Sequence, residues 1–279
     1  MRKISGDFWT YLRNSKSITK ADTQAVANGV GIWVNNYADM VRIIASLAFA
    51  NPQWLLFFRG QDKDYKEGFS TSLLPAIFRN LDDEGDLQQR FESLTQAENF
   101  LMQHYNFNAK RKIQRHDILR WAILQHYQIH DTPLLDVTYS PRVACSFSGI
   151  KHATTKPTYV YVLGMPQISG SISVSSEHEI QNIRLLSVCP PVALRPHYQE
   201  GHLVGDYPTL NYTEKARIDL SEVDFSRRLV CKFRLRPKGN FQTISDKFLF
   251  PGRKKDKVLG MAEKIKKELD EKTPANVSN

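Results

Sequence analysis

The chain has 279 residues, 41% hydrophobic and 24% charged, with a net charge of +9. That length buries a core in one large domain or two modest ones. The balance excludes a disordered chain, its apolar runs are far too short to cross a bilayer, and its positive excess favours anionic partners.

Residues 1–29 read as a lead-in. The apolar spacing of Met40, Val41, Ile44, Leu47 and Ala48 predicts a helix over 38–50, ended by Asn51 before Pro52. "WLLFF", 54–58, reads as a short buried strand with Arg59 and Gly60 at its exit. Residues 82–127 carry three- and four-residue spacing and read as helical. "LLDVTYS" predicts a strand running into a helix at "PRVACSFSG", where Pro141 suits the first turn. "TYVYVL" (158–163) is a clear strand, with "SISVSS" and "IRLLSV" weaker ones. In "LVCKFRLR", Leu229, Cys231, Phe233 and Leu235 alternate with Lys232, Arg234 and Arg236, which predicts a half-buried strand with a basic outer face. A packed amphipathic helix closes the chain on Val258, Ala262, Ile265 and Leu269, and 271–279 read as a disordered tail. The sum is a single α+β domain, helical in its first half, with a mainly antiparallel sheet in its second.

Cys145, Cys189 and Cys231 are odd in number and far apart, without a zinc spacing or a disulfide framework. The start "MRKISGDFWTYLRNSK" holds no long apolar run, so a cytoplasmic chain without a membrane role is expected, and no metal site. No P-loop, GxGxxG or GxSxG is present. His197 and His202 flank "YQEG"; they read as solvated loop histidines, with a place in the same cleft as Gln199 as the alternative.

The richest polar cluster is "QHYQIHDTPLLDVTYSPRVACSFS", 125–148. Asp136 and Thr138, two apart in a strand, point to one side. Together they can orient an arginine, a ribose or a neighbouring backbone, or simply cap and close a turn.

These stretches resemble the FRG domain family, named for its Phe-Arg-Gly motif. Phe58, Arg59, Gly60 and Gln61 match its first block, followed by Leu73 or Leu74, Pro75 and Arg79, with Glu98 as the helix glutamate. Gln125, His126, Thr132, Leu134, Leu135, Asp136, Thr138, Ser140, Ala144 and Phe147 continue the match, then Arg195, Gln199 and Gly201. The similarity spans about 30–270. It departs at Gln128, where a glycine is expected in a loop one residue shorter, at Val137 for a tryptophan, and at Leu203 for a phenylalanine.

The motif order is also analogous to ADP-ribosyltransferases with an Arg-Ser/Thr-Glu layout, which implies NAD as cofactor and a toxin or phage-defence setting. By that analogy Arg59 holds the diphosphate, Thr138 shapes the ribose site, and Gln199 with Glu200 contacts the ribose hydroxyl. Gln61, Arg79, His126, Asp136 and Ser140 would complete the nucleotide site. Glutamine carries no charge, and Glu200 would face the other side of a strand. The alternative is a non-catalytic module in which Arg59, Asp136 and Gln199 form a buried structural network. The basic runs, Lys110, Arg111, Lys112 and Arg115 with the 232–236 stripe, would then bind nucleic acid. The acceptor of an enzyme, protein or nucleic acid, stays open.

Overall fold

The computed structural model describes residues 1–13, 17–81, 84–167, 169–208 and 219–272. The expected tail lies outside the described residues from 273 onward. β1 (Phe8–Thr10) and β2 (Thr19–Ala21) form a small ribbon, and the Asp22 carboxylate caps α1 (Thr23–Asn28) by accepting from Ala25 N. The lead-in belongs to the fold, since Met1, Ile4 and Phe8 are buried with the central sheet. β3 (Ile32–Asn36) passes through the Asn36 cap into α2 (Tyr37–Ala50), the helix expected there.

β4 (Leu55–Gln61) runs further than the apolar run suggested, carrying Arg59 and Gly60 inside the strand. The hairpin β5 (Lys66–Glu67) and β6 (Ser70–Thr71) follows, then α3 (Glu84–His104), α4 (Lys110–Arg115) and α5 (Asp117–His126). β7 (Leu135–Thr138) leads through a Ser140 cap into α6 (Pro141–Phe147), with Pro141 in the first turn as expected. Next come β8 (Thr158–Met165), β9 (Ile172–Ser175) and β10 (Ile180–Arg184). "IRLLSV" is only half strand, because Leu185–Val188 turns helical (α7). α8 (Leu194–Gln199), β11 (Gly201–Asp206), β12 (Leu229–Asn240), α9 (Asp246–Leu249) and α10 (Lys257–Lys272) complete the chain. Among the described residues no helix is long and apolar enough to cross a membrane.

Eight strands form one sheet in the order β3-β12-β8-β4-β7-β11-β10-β9, antiparallel throughout except where β12 meets β3. This is the expected α+β domain, though β3, β4 and β7 come from the first half of the chain. One core packs around β12, β8 and β4 with α1, α2 and α6. A second lies among α3, α5 and α10 and reaches Ile183 and Leu203 of the sheet. Glu98 ties that second core together, accepting from Arg120 Nε (2.5 Å) and Trp121 Nε1 (2.6 Å).

The basic outer face expected on β12 is overturned at Lys232. Its ammonium is buried, donating to Thr71 Oγ1 (2.6 Å), Asp64 Oδ2 (3.0 Å) and Ala27 O (3.3 Å). The alternation looked like that of a solvent-facing strand, but β12 is internal. β3 extends the sheet beyond it, and α1 with the β5–β6 hairpin covers that face. Arg234 and Arg236 gather instead over the Trp33 ring of β3, at 4.1 and 5.2 Å.

α6 lies directly on β4 at Gly60. A Cβ there would fall on the Ala144 carbonyl oxygen and 2.6 Å from Ser148 N. Gly60→Ala is therefore expected to cost about 3 kcal/mol or more, measured by urea unfolding.

Candidate active site

β4 pairs with β8 along its whole length but with β7 at only one position, Phe58 opposite Thr138. Beyond that pair the two strands part, and a cavity of about 240 Å³ opens between them. Diverging strand ends expose main-chain groups and make natural ligand sites. Its walls are Phe58, Arg59 and Gly60 of β4, Asp136, Val137 and Thr138 of β7, and Gln125 and His126 from the end of α5. Gln199, Gly201 and His202 close the far side, and Phe147 and Phe250 meet edge-to-face at the rim, ring centres 5.9 Å apart.

Arg59 fills part of the opening. Its Nη1 donates to the Asp136 carbonyl oxygen (2.7 Å), replacing a ladder bond that the parted strands no longer make. Among the described residues its hydrogen-bond partner is thus main chain, not the Asp136 carboxylate the sequence suggested. Nε is buried without a partner, an uncompensated donor of the kind folded proteins avoid. Burial, helped by the like charge of Arg79, lowers its pKa to about 10, so the guanidinium stays charged at neutral pH.

The Asp136 carboxylate is held by Gln125, whose Nε2 donates to Oδ2 (2.9 Å). Gln125 is itself oriented, since its Oε1 accepts from Thr132 N (3.2 Å) and Thr132 Oγ1 (3.1 Å). The Asp136 side chain is surrounded by protein yet 41% exposed, because its open side faces the cavity. Burial raises its pKa, against the lowering pull of Arg59, Gln125 and Arg79. Among the described residues it is the one acidic side chain lining the cavity.

His126 Nδ1 stands 4.0 Å from Asp136 Oδ1, and its Nε2 is buried without a partner. Burial, with Arg195 nearby, lowers its pKa to about 3, so the ring is neutral at working pH. Gly201 gives this ring its room, since a Cβ there would stand 3.2 Å from His126 Cε1. His202 is also buried, its Nδ1 against Asn182 Oδ1 (3.0 Å), and burial lowers its pKa to about 4. Of the two histidines expected in solvated loops, His197 is exposed but helical, on α8, and His202 is buried in β11.

The remaining sequence candidates separate. The Thr138 hydroxyl donates toward Gln199 O (3.0 Å) and Glu200 O (3.2 Å) and accepts from Ser140 N (3.1 Å), so it latches α8 to β7. Ser140 caps α6 and lies outside the cavity walls. Gln199 lines the cavity, but its Nε2 is committed to Leu249 O (2.7 Å). Gln199 and Glu200 end a helix rather than occupy a strand; Glu200 is exposed at φ 45° and does not line the cavity. The helix forms because Pro196 sits in its first turn, where its missing N–H is harmless. Gln61 and Arg79 line a neighbouring groove. The sequence offered His202 only as the lesser alternative to a solvated loop residue, gave no sign of the Phe250 rim, and marked Gln125 only as a motif position.

Residues 55–156 match the family model described as the FRG domain. No curated protein and no solved structure matches the chain. The matched stretch supplies Arg59, Gln125, His126 and Asp136; the segment after it supplies Gln199, His202 and Phe250.

Proposed function

This chain carries an FRG domain over residues 55–156, and from the cavity that this domain shares with the following segment we propose an NAD-cleaving, ADP-ribosyltransferase-like enzyme. The reading rests on one observation: among the described residues the cavity's single carboxylate, Asp136, opens into it beside a charged arginine that it attracts but does not hydrogen-bond through its carboxylate. A lone anion and a lone cation side by side suit a substrate with a cationic ring at one end and phosphate at the other.

In this reading the rest of the Arg59 fork binds phosphate. The rim of Phe147 and Phe250 receives the nicotinamide ring. Water attacks C1′ of the nicotinamide ribose, and its proton passes to the Asp136 carboxylate. The C1′–N1 bond breaks with its electron pair kept by the ring nitrogen, so nicotinamide leaves neutral. A protein or nucleic-acid nucleophile would take the place of water in transfer. The catalytic carboxylate is therefore Asp136, and neither Gln199 nor Glu200 is needed in that role. Consumption of NAD suits a toxin or phage-defence effector.

The test is nicotinamide release from NAD by the purified chain, with and without cell lysate as acceptor. Arg59→Lys keeps the charge but loses the fork, and release should fall at least about tenfold while the unfolding temperature stays within a few degrees of wild type. Absence of release by the wild type under both conditions would sink the proposal.

A further inference from the structure

The cavity has room for a ring and its sugar, not for a whole dinucleotide. Directly beside it lies a larger groove of about 680 Å³, lined by Gln61, Lys63, Tyr65, Lys66, Arg79 and Asn80. The two compartments lie near one another, since Arg59 of the cavity and Arg79 of the groove act on each other electrostatically and both act on Tyr65 of the groove. Arg79 acts electrostatically on both Arg59 and Asp136, which places a second guanidinium at the seam. We infer that this groove is an adenylate subsite, taking the phosphate and base of the dinucleotide half that the cavity cannot hold. The inference rests on the NAD reading for its link to the cavity, and on the groove's own residues for its chemistry.

Arg79 is presented rigidly. Its Nε donates to Leu74 O (2.8 Å), which leaves the outer nitrogens for a ligand. The turn that carries it is clamped by Arg90, whose Nη1 donates to Ile77 O (3.2 Å) and Arg79 O (2.5 Å) and whose Nη2 donates to Asn80 O (2.9 Å). Arg90 is in turn held by Asp86 at 2.7 Å. Asn80 closes the turn at φ 50°, a left-handed conformation that asparagine tolerates. A guanidinium fixed in advance loses little entropy on meeting phosphate. Three cations, Lys63, Lys66 and Arg79, face one carboxylate, Glu67, among the lining residues, so the groove is net positive. Tyr65 is 44% exposed, and Lys63 sits over its ring at 4.6 Å. Base stacking on such a ring, with a cation alongside for phosphate, is a recurring way of holding a nucleotide.

AMP is the probe, titrated against the full chain and its variants. Arg79→Gln should weaken AMP binding about tenfold or more, and Tyr65→Ala about fivefold or more, whereas Asp136→Asn should not weaken it. Tyr65 is exposed, so its variant keeps the test decisive even if Arg79→Gln fails to fold. Absence of AMP binding by the wild type, or binding indifferent to both groove variants, overturns the subsite. Those outcomes with nicotinamide release intact leave the NAD reading standing. The AMP pattern without nicotinamide release supports the subsite and removes the NAD reading.

Discussion

Asp136→Asn should reduce nicotinamide release by about 10²- to 10³-fold while leaving the fold intact. The asparagine oxygen can still accept from Gln125 Nε2, now 2.9 Å from Oδ2, so the local hydrogen bond survives. Stability should not fall. The folded-state pKa of Asp136 is raised by burial, so ionising it works against folding at any pH above that raised value. This opposition shrinks as pH drops through that value and is gone below the ordinary aspartate range, and the uncharged amide never meets it. Activity has the opposite dependence. A carboxylate that must accept a proton works only when ionised, so wild-type activity should fall on the acid side at a higher pH than for an ordinary aspartate. His126 gives no second limb near neutrality, because its pKa, about 3, leaves it uncharged there. A loss of activity in Asp136→Asn accompanied by an equal loss of unfolding temperature would instead make the residue a structural one.

The parts of the fold that were legible in the sequence are those set by local pattern. α2, α6, β8 and α10 each follow from apolar spacing or from a cap and proline, and the structure places them where those signals put them. What was illegible depends on neighbours distant in the chain. Alternation at Lys232 cannot say that β3 will extend the sheet past it. The polar run around Gln199 reads equally as strand or helix until Pro196 and the Leu249 contact fix it. The site divides in the same way. Arg59 and Asp136 were visible as charges set in apolar runs, because a buried charge needs a reason. His202 carries no such mark, and only the pairing of β11 with β7 brings it to the cavity.

Lys232→Met should lower stability by about 3–5 kcal/mol, roughly 10 °C or more in unfolding temperature. The ammonium is 0% exposed and the Asp64 side chain 8%. Removing the cation leaves a nearly buried carboxylate with the hydroxyls of Tyr161 (3.0 Å) and Thr71 (2.8 Å) and, at 4.0 Å, the part-exposed ammonium of Lys66. The hydroxyls solvate the charge without neutralising it, and Lys66, farther off and open to solvent, compensates it less than the buried Lys232 does. Adding Asp64→Asn to Lys232→Met should therefore restore part of the loss, which a simple packing defect would not allow. Register puts Lys232 opposite Tyr161, and Tyr161 opposite Arg59, so one row of polar side chains crosses β12, β8 and β4. Within that row the paired charge is Lys232 with Asp64, whereas Arg59 leans on a main-chain carbonyl. A buried structural network of the kind the sequence allowed for Arg59 and Asp136 is present two strands along, at Lys232 and Asp64. If Lys232→Met unfolds the chain at lower temperature while Arg59→Lys does not, scaffold and site are separate. Equal destabilisation by both would return Arg59 to the scaffold.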